Sequence, residues 1–258
     1  MRWLPLLLAL TACDCGDEPS TDSSDDPDSP GMDLGSTDGR VPTDATTTDR
    51  DGTTPEMCAD LRATIRDFRS DHPDFESAIA DDRGLVEEDL GADGKPVYAP
   101  AGATATVSGQ TSFDQWYRDS DVNMAFEIDL PLIEESPGVF AFDDSDFFPI
   151  DDRGFDERTA GHNFHFTTEI HATFRYRGGE TFTFRGDDDV FVFVNDKLVI
   201  DLGGVHGAQE GTVDFDAEAS RLGIVTGETY SLDVFHAERH TSESNFRLET
   251  SIECFLII

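Results

Sequence analysis

The clearest pattern in the chain is an alternation of apolar and polar side chains over thirteen residues, Phe164 to Tyr176. Phe164, Phe166, Ile170 and Phe174 fall on one side of this segment and charged or polar residues fall on the other. A period of two is typical of a strand with one buried face. The glycine pair at 178–179 then predicts a turn, and Thr181 to Arg185 alternates in the same way.

The next apolar segment, Val190 to Val194, has no polar side and predicts a central strand covered by an opposing sheet. Asn195-Asp196 predicts a tight hairpin into a strand over Lys197 to Leu202. The last strands are predicted over Tyr230 to His236 and Phe246 to Ile252. No segment after Cys58 shows sustained helical spacing. The spacing of Leu61, Ile65 and Phe68 is nevertheless compatible with a short N-terminal helix. These patterns predict one all-β domain, residues 57–258, folded as an antiparallel two-sheet β-sandwich or a squashed barrel.

The N-terminal part of the chain has the composition of an export signal followed by a tether. Residues 1–12 combine Arg2 with an apolar run that is too short to span a bilayer. Leu10-Thr11-Ala12-Cys13 resembles a bacterial lipobox, which would make Cys13 the lipidated residue; the alternative is an ordinary signal peptide cut near Ala12. Residues 13–56 are acidic and almost free of large apolar side chains, which predicts a disordered tether. The expected location is outside the cytoplasm, lipid-anchored to the bacterial cell envelope at the outer membrane or cell surface.

The chain is strongly acidic, with 55 Asp and Glu against 18 Lys and Arg and a net charge of -37. Such a field repels nucleic-acid phosphates and anionic membranes, so the expected membrane contact is through the lipid alone. Calcium, cationic partners and neutral polymers remain compatible with this charge. The alternative is that the acidity only keeps an exported protein soluble.

Cys58 and Cys254 bracket the domain almost end to end. In an exported protein this arrangement predicts a disulfide that joins the first and last strands, with unpaired thiols as the alternative. Cys15 lies in the predicted tether and has no obvious partner.

Three adjacent carboxylates, Asp187-Asp188-Asp189, directly precede the most apolar strand. Like charges repel one another where the chain becomes buried, so a cation or strong hydrogen-bond donors should neutralise them. Oxygen-only ligands favour calcium over zinc or copper. The alternative is an acidic turn whose carboxylates cap backbone amides.

Several ordered motifs resemble the PA14-type β-sandwich, in the variant called the fibro-slime domain. The motifs are Arg66-Asp67-Phe68, His72-Pro73-Asp74-Phe75, Phe147-Phe148-Pro149, Asn163-Phe164-His165-Phe166-Thr167-Thr168-Glu169, Gly186-Asp187-Asp188-Asp189, Asp201-Leu202-Gly203-Gly204-Val205-His206-Gly207, and Phe235-His236-Ala237-Glu238-Arg239-His240 to Ser244-Asn245-Phe246-Arg247.

The resemblance implies a calcium ion held by an Asp-Asp pair with a cis peptide bond, and a glycan held by the calcium. The matching pair here is Asp187 and Asp188, and Asn245 is the candidate for the asparagine that a later loop contributes. The resemblance also implies a strand at the N-terminus of the domain and an extracellular or surface location. The sugar-contacting loops of PA14 adhesins have no alignable counterpart in this chain.

Other polar residues near these motifs are candidates for ligand contact: Asp189, His206, Glu238 and His240. The segment His236 to His240 matches neither H-E-x-x-H nor H-x-x-E-H. On a strand, residues four apart are separated by about 13 Å, which is too far to share zinc. Glu238 and Arg239 are therefore expected to bond neighbouring loops, or Glu238 and His240 to form the rim of the calcium site. The acidic residues 143–146 and 151–152 are interpreted as a solvated rim, with a second calcium site as the alternative.

The sequence contains no G-x-S-x-G elbow, no phosphate-binding glycine loop and no Cys-His nucleophile pattern. Its many Asp and Glu residues do not exclude a catalytic pair of glycosidase carboxylates. The chain is therefore expected to bind rather than to catalyse. The predicted function is a calcium-dependent carbohydrate-binding or adhesion module on the cell surface, with a polysaccharide or glycan, or another surface protein, as its partner. The alternative is a non-catalytic structural or protein-adhesion domain in which calcium only stabilises loops.

Overall fold

The alternating segment forms the central strand of a large antiparallel sheet in the computed structural model, which describes residues 58–256. The strands of this range are β1 (Cys58–Ala59), β2 (Leu61–Phe68), β3 (Ala80–Asp81), β4 (Asn123–Leu130), β5 (Ile133–Ser136), β6 (Val139–Asp144), β7 (Phe166–Arg175), β8 (Thr181–Gly186), β9 (Asp189–Val194), β10 (Lys197–Leu202), β11 (Gly204–Val205), β12 (Gln209–Asp214), β13 (Thr229–Glu238), β14 (Phe246–Thr250) and β15 (Phe255–Leu256). Two short helices accompany them, α1 (Gln110–Phe113) and α2 (Phe215–Leu222).

The strands form two main sheets. The eight-stranded sheet runs β1-β15-β7-β13-β9-β10, with β2 paired to β7 and β4 paired to β2. The five-stranded sheet runs β12-β8-β14-β6-β5, and β3 pairs with β11 in a separate ribbon. Apolar side chains of both sheets, including Ile170, Val192, Phe184 and Leu248, meet in one buried cluster. The predicted two-sheet antiparallel sandwich is confirmed.

Strand β9 is buried on both faces, as predicted, but the opposing sheet covers only one of them. Val190, Val192 and Val194 point into the cluster between the sheets. Phe191 and Phe193 point the other way, into a second cluster that contains Phe113, Trp116 and Tyr117. The irregular segment 82–122 therefore acts as a third layer on the outer face of the large sheet.

The same segment explains why β7 is less one-sided than its sequence pattern. Thr167 and Glu169 were expected to face solvent, yet both are buried. Thr167 donates its hydroxyl hydrogen bond to the carbonyl of Trp116 at 2.6 Å, and Glu169 is paired with Arg66 and Lys95. A polar side chain can be buried when its partners are brought over it by a distant segment.

The expectation of no helix after Cys58 is wrong for Phe215–Leu222. Asp214 caps this helix by accepting a hydrogen bond from the Ala217 amide at 3.1 Å, and Gly223 ends it with a φ of 67°. The N-cap aspartate and the C-terminal glycine are both sequence signals for a helix. At eight residues, α2 is too short for an extended 3.6-residue periodicity to stand out. Leu61 to Phe68, left open between helix and strand, forms β2.

Cys58 and Cys254 form the predicted disulfide across a sequence separation of 196 residues. It joins β1 to the segment just before β15, and β1 and β15 also pair with each other. Residues 1–57, with the predicted signal peptide, Cys13, Cys15 and the tether, lie outside the described range. Within residues 58–256, no helix is long and apolar enough to cross a membrane.

The strand order places the ends of four strands at one edge of the large sheet. Strands β2 and β13 end there, whereas their antiparallel neighbours β7 and β9 begin there. Asp189 at the start of β9 pairs with Ala237 near the end of β13. This edge brings the three adjacent aspartates next to Glu238 and Arg239.

Candidate functional site

The segment Asp187-Asp188 carries the chain from the five-stranded sheet into the eight-stranded sheet. Gly186 ends β8 opposite Phe246, and Asp189 begins β9. A Cβ atom at Gly186 would lie 2.3 Å from the carbonyl oxygen of Asn245, so only glycine permits this approach. The peptide bond between Asp187 and Asp188 is cis. The crossover is therefore held against the loop that precedes β14.

Asp187 is bound to that loop through Asn245. Its two carboxylate oxygens accept hydrogen bonds from the Asn245 amide at 2.6 Å and from Asn245 Nδ2 at 2.8 Å. The Asn245 side chain and the Asp187 carboxylate, which the family resemblance assigned to one site, are thus in direct contact.

Asp188 connects two other loops. Its Oδ1 accepts a hydrogen bond from the His206 amide at 3.1 Å, and its Oδ2 accepts one from the Arg239 amide at 3.0 Å. A carboxylate oxygen has two lone pairs, so each of these oxygens retains one further site for a donor or a cation.

Asp189 is neutralised differently from its two neighbours. Its Oδ2 accepts from Nε of the fully buried Arg239 at 2.6 Å, and its Oδ1 accepts from the Gly204 amide at 2.6 Å. Arg239 also donates to the carbonyls of Asp74 and Thr106 and lies 4.5 Å from the Trp116 ring centre. Asp189 is therefore a structural anchor for the third layer, and Arg239 bonds neighbouring loops as expected.

Glu238 is the exceptional member of this group. Its residue exposure is 0 %, and both of its carboxylate oxygens are buried without a hydrogen-bond partner within residues 58–256. The Ser244 hydroxyl and the His240 amide lie close enough to lower the pKa of Glu238, but neither makes a hydrogen bond to it, and the Ser244 hydroxyl donates to the carbonyl of Phe147 at 2.7 Å. A buried carboxylate without a partner is strongly disfavoured, so the site contains uncompensated acceptor capacity.

The four acidic groups hold their protons more tightly than they would in water. Burial raises the pKa of Asp188 to about 8, with a further contribution from the charge of Asp189. Burial also raises the pKa of Asp187, and it raises that of Asp189 against the opposing effect of Arg239. The pKa of Glu238 is well above its usual value because of burial and the charges of Asp188 and Asp187. Arg239 alone does not compensate this concentration of negative charge.

The donor chemistry of the site fits an oxygen-ligated cation such as calcium. Asp187, Asp188 and Glu238 offer carboxylates, and Asn245 offers an amide oxygen. Within the described residues, however, no three His, Cys, Asp or Glu side chains already converge on one point as metal ligands. Neutral oxygen ligands, from Asn245 and from backbone carbonyls, would have to complete such a shell.

The two histidines that were candidates for ligand contact have other partners. The ring nitrogens of His206 contact the carbonyls of Leu202 at 3.0 Å and Gly207 at 3.1 Å, which fixes the glycine-rich loop 201–207. His240 lies 3.7 Å from Glu76, which also contacts His165 at 2.9 Å. In the described part of the chain, neither imidazole hydrogen-bonds to Asp187, Asp188 or Glu238.

A cavity of about 420 Å³ opens beside Asn245. Phe148 and His162 stack in its wall with ring centres 4.1 Å apart, and Phe164 meets Phe148 edge-on at 4.8 Å. Asp146, Arg185 and Glu243 supply polar groups around these rings. No sequence pattern marks this aromatic group as part of the site, because its members lie 81 to 97 residues before Asn245 and only the fold brings them together.

The acidic residues on either side of Phe147 and Phe148 form ion pairs and turns. Asp143 pairs with Arg247 at 2.7 Å, Asp144 accepts from the Asp146 amide at 2.9 Å, and Asp151 contacts His162 at 2.7 Å. These contacts agree with a rim of solvated and paired carboxylates.

Relatives of the chain occur in Dictyostelium discoideum. Protein psiD is 41% identical over 212 residues, which cover 74% of this chain and 41% of psiD. Protein psiQ is 41% identical over 187 residues, covering 66% of this chain and 18% of psiQ. The chain therefore spans less than half the length of these relatives. Their source lends no support to a bacterial lipid anchor.

Among solved structures, the chain is similar to the PA14 domain of the MpAFP antifreeze protein, with a TM-score of 0.36 and 8% identity over 81% of this chain and 92% of that one. It is also similar to the PA14 sugar-binding domain from an RTX adhesin, with a TM-score of 0.35 and 9% identity over 78% of this chain and 95% of that one.

The family comparison covers the strands that form the candidate site. The matched region begins within the aromatic cavity wall and runs through the aspartate crossover, Glu238 and Asn245 to Cys254. Residues 148–254 of this chain match the PA14 domain family.

Proposed function

We propose that the chain is a non-catalytic carbohydrate-binding or adhesion module that works outside the cytoplasm and depends on calcium. Asp187, Asp188 and Asn245 would hold the ion, and Glu238 would contribute a further carboxylate. The proposal draws on the match of residues 148–254 to the PA14 domain and on the sugar-binding PA14 domain named among the similar structures.

The single observation that carries the calcium assignment is the state of Glu238. Both of its oxygens are buried and without a partner, and the charges of Asp187 and Asp188 act on it. A divalent cation would neutralise two of these charges and supply the missing contact, whereas an ordinary acidic turn would leave Glu238 unexplained.

The cavity beside Asn245 supports a carbohydrate as the ligand. Its volume of about 420 Å³ accommodates a sugar ring, and its wall offers aromatic surface next to carboxylate, amide and guanidinium groups. Sugars present both C–H faces and hydroxyls, so they match a lining of this mixed character. Calcium suits the role because its flexible coordination accepts neutral hydroxyl oxygens.

The first test is the effect of calcium on thermal unfolding. Calcium at about a hundred times its Kd should stabilise the folded chain by about 2.7 kcal/mol, which raises Tm by about 5–10 °C. The shift is measured for each protein as the difference between calcium and chelator, so that a change in basal stability does not affect the comparison.

Asp188→Asn and Glu238→Gln should lose this calcium-dependent shift, whereas the exposed Asp129→Asn on β4 should retain it. Unchanged melting of the wild-type chain with and without calcium would refute the metal site. A shift of wild-type size in both Asp188→Asn and Glu238→Gln would place the ion elsewhere.

A second function is favoured by the way the aspartates join the loops. Asp187, Asp188 and Asp189 accept backbone hydrogen bonds from Asn245, His206, Arg239 and Gly204. An ion at this place would rigidify those loops without touching a glycan, and the module would then adhere to another surface protein. Calcium binding without any glycan binding would select this alternative.

The proposed setting is outside the cytoplasm, because the Cys58–Cys254 disulfide needs an oxidising compartment. Attachment through Cys13, and the fibro-slime variant of the family, remain predictions from the sequence. Mass analysis of the mature chain for a lipid on Cys13 tests the anchor.

A further inference from the structure

A second and larger cavity lies apart from the aspartate crossover. Its volume is about 760 Å³, and it is bounded by the loop that follows β2, the segment around α1 and the side chain of Phe155. None of Asp187, Asp188, Glu238 and Asn245 lines it. Its floor includes His72 and Ser112, which are 6% and 8% exposed.

The floor of this cavity is held in one arrangement by internal hydrogen bonds. The Asp74 amide donates to His72 Nδ1 at 3.3 Å, so His72 carries its proton on Nε2 and donates it to Gln115 Oε1 at 3.0 Å. Burial lowers the pKa of His72, which keeps this imidazole neutral. Ser112 donates to the Gly109 carbonyl at 2.9 Å. A preformed floor reduces the ordering cost of binding.

Among the other polar groups of the lining, the Ser108 hydroxyl donates to the Pro73 carbonyl at 3.1 Å and Arg69 pairs with Glu157, but several more are not used by the fold. Five lining residues have polar groups that make no side-chain hydrogen bond or ion pair to another residue within 58–256. They are the side-chain amide nitrogen of Gln115, the side chains of Gln110 and Thr111, and the carboxylates of Asp71 and Asp121. They provide donors and acceptors side by side around one concave surface. Water satisfies such groups when no ligand is present.

The charges of the lining exclude an anion and do not require a cation. Arg69 is already paired with Glu157 at 2.8 Å, and its guanidinium covers the Phe155 ring at 4.0 Å. Asp71 and Asp121 therefore leave the mouth negative. The Phe155 face is occupied by Arg69, so this aromatic ring is not free to cage an ammonium group.

We propose that this cavity is a second carbohydrate site, which binds a neutral saccharide without calcium. Paired hydroxyls of a sugar can accept from the amides of Gln110 and Gln115 and donate to the carboxylates of Asp71 and Asp121. The C–H surface of the same sugar can lie against Pro73 and Val122, which also line the cavity. The site does not depend on the proposed calcium site, because it shares no lining residue with the aspartate crossover.

The test uses the full chain, isotopically labelled and kept in chelator, with neutral oligosaccharides of glucose, galactose, mannose and N-acetylglucosamine at millimolar concentration. We expect at least one of them to shift the NMR signals of the Gln110 and Gln115 side-chain amides. The Asp188→Asn variant should give the same shifts, so failure of the calcium site leaves this result unaffected.

Val122→Trp should abolish the shifts, because the 39 % exposed Val122 lines the cavity and an indole would occupy part of its volume. Val225→Trp is the matched control. Val225 is 59 % exposed, does not line the cavity and lies just before the start of β13. It should leave the shifts intact.

Three results would overturn the proposal. One is the absence of shifts at Gln110 and Gln115 with every neutral saccharide. Another is binding that survives in Val122→Trp. The third is a response only to a uronic acid oligomer or a lysine-containing peptide, which would make the ligand charged.

Discussion

Arg239 and Asp189 form an ion pair with no solvent exposure of either side chain, with 2.6 Å between Arg239 Nε and Asp189 Oδ2. The same guanidinium bonds the carbonyls of Asp74 and Thr106. Strand β9, the end of β13 and the third layer are thereby joined at one residue. The aspartate triplet thus combines two roles, since Asp189 belongs to the fold whereas Asp187 and Asp188 remain next to the unpartnered Glu238.

Arg239→Met should destabilise the chain strongly, because it leaves the Asp189 carboxylate buried without its partner. Removal of one member of a buried pair typically costs about 3–5 kcal/mol. The control is Arg62→Met, since the Arg62 side chain is 69% exposed and pairs with the 70% exposed Asp129. That exposed pair should contribute no more than about 1 kcal/mol. Urea unfolding gives both values, and equal losses would contradict the structural role assigned to Arg239.

The glycine-rich loop gives a second prediction. Gly204 has a φ of 119°, and a Cβ there would lie 2.3 Å from the Ala80 carbonyl oxygen and 2.5 Å from the Asp82 amide nitrogen. Gly204→Ala should therefore destabilise the chain by about 2–5 kcal/mol through backbone strain and steric overlap. Gly207→Ala in the same loop meets nothing within 4 Å and should change the free energy of unfolding little. Similar behaviour of the two variants in urea unfolding would show that the close approach to β3 does not exist in solution.

His171 predicts how stability depends on pH. Burial disfavours the protonated imidazole, but hydrogen bonds to Asp233 and Glu169 outweigh it and raise the pKa of His171 to about 9 from 6.5. Because the folded pKa lies above the unfolded one, the stabilisation is complete below pH 6.5 and is lost as the pH rises through about 9. His171→Gln should flatten this alkaline decline.

The measurement is the urea midpoint between neutral pH and pH 10, taken for the wild type, His171→Gln and His162→Gln. His162 is an exposed histidine that contacts Asp151 in the aromatic cavity wall, and its replacement should retain the alkaline decline. An equally steep decline in His171→Gln would assign the effect to another group.

The sequence was sufficient to predict those parts of the fold whose cause is local. Asn195 and Asp196 take φ values of 50° and 62° between β9 and β10, which is the hairpin that this dipeptide favours. The alternation around Ile170 predicted β7 for the same reason. Helix α2 had local signals at Asp214 and Gly223, but it was too short for its periodicity to outweigh the surrounding strands.

The parts that the sequence did not predict depend on contacts between distant segments. Nothing near Thr167 or Phe191 in the sequence indicates that Trp116 lies over that face of the sheet. The aromatic group beside Asn245 is assembled in the same way. Asp187, Asp188 and Asn245 were grouped through the family resemblance, whereas the buried and unpartnered state of Glu238 becomes visible only when all its neighbours are in place.

The most direct test of the central claim is glycan-array binding by the full chain, measured with calcium, with chelator, and for Asp188→Asn with calcium. The proposed function predicts that the wild type binds a defined class of glycans in calcium, and that this signal disappears with chelator and in the variant. Weak binding that persists in chelator is assigned by repeating the array with Val122→Trp, which should remove it without affecting the calcium-dependent signal. Absence of any glycan signal that requires calcium would contradict the account.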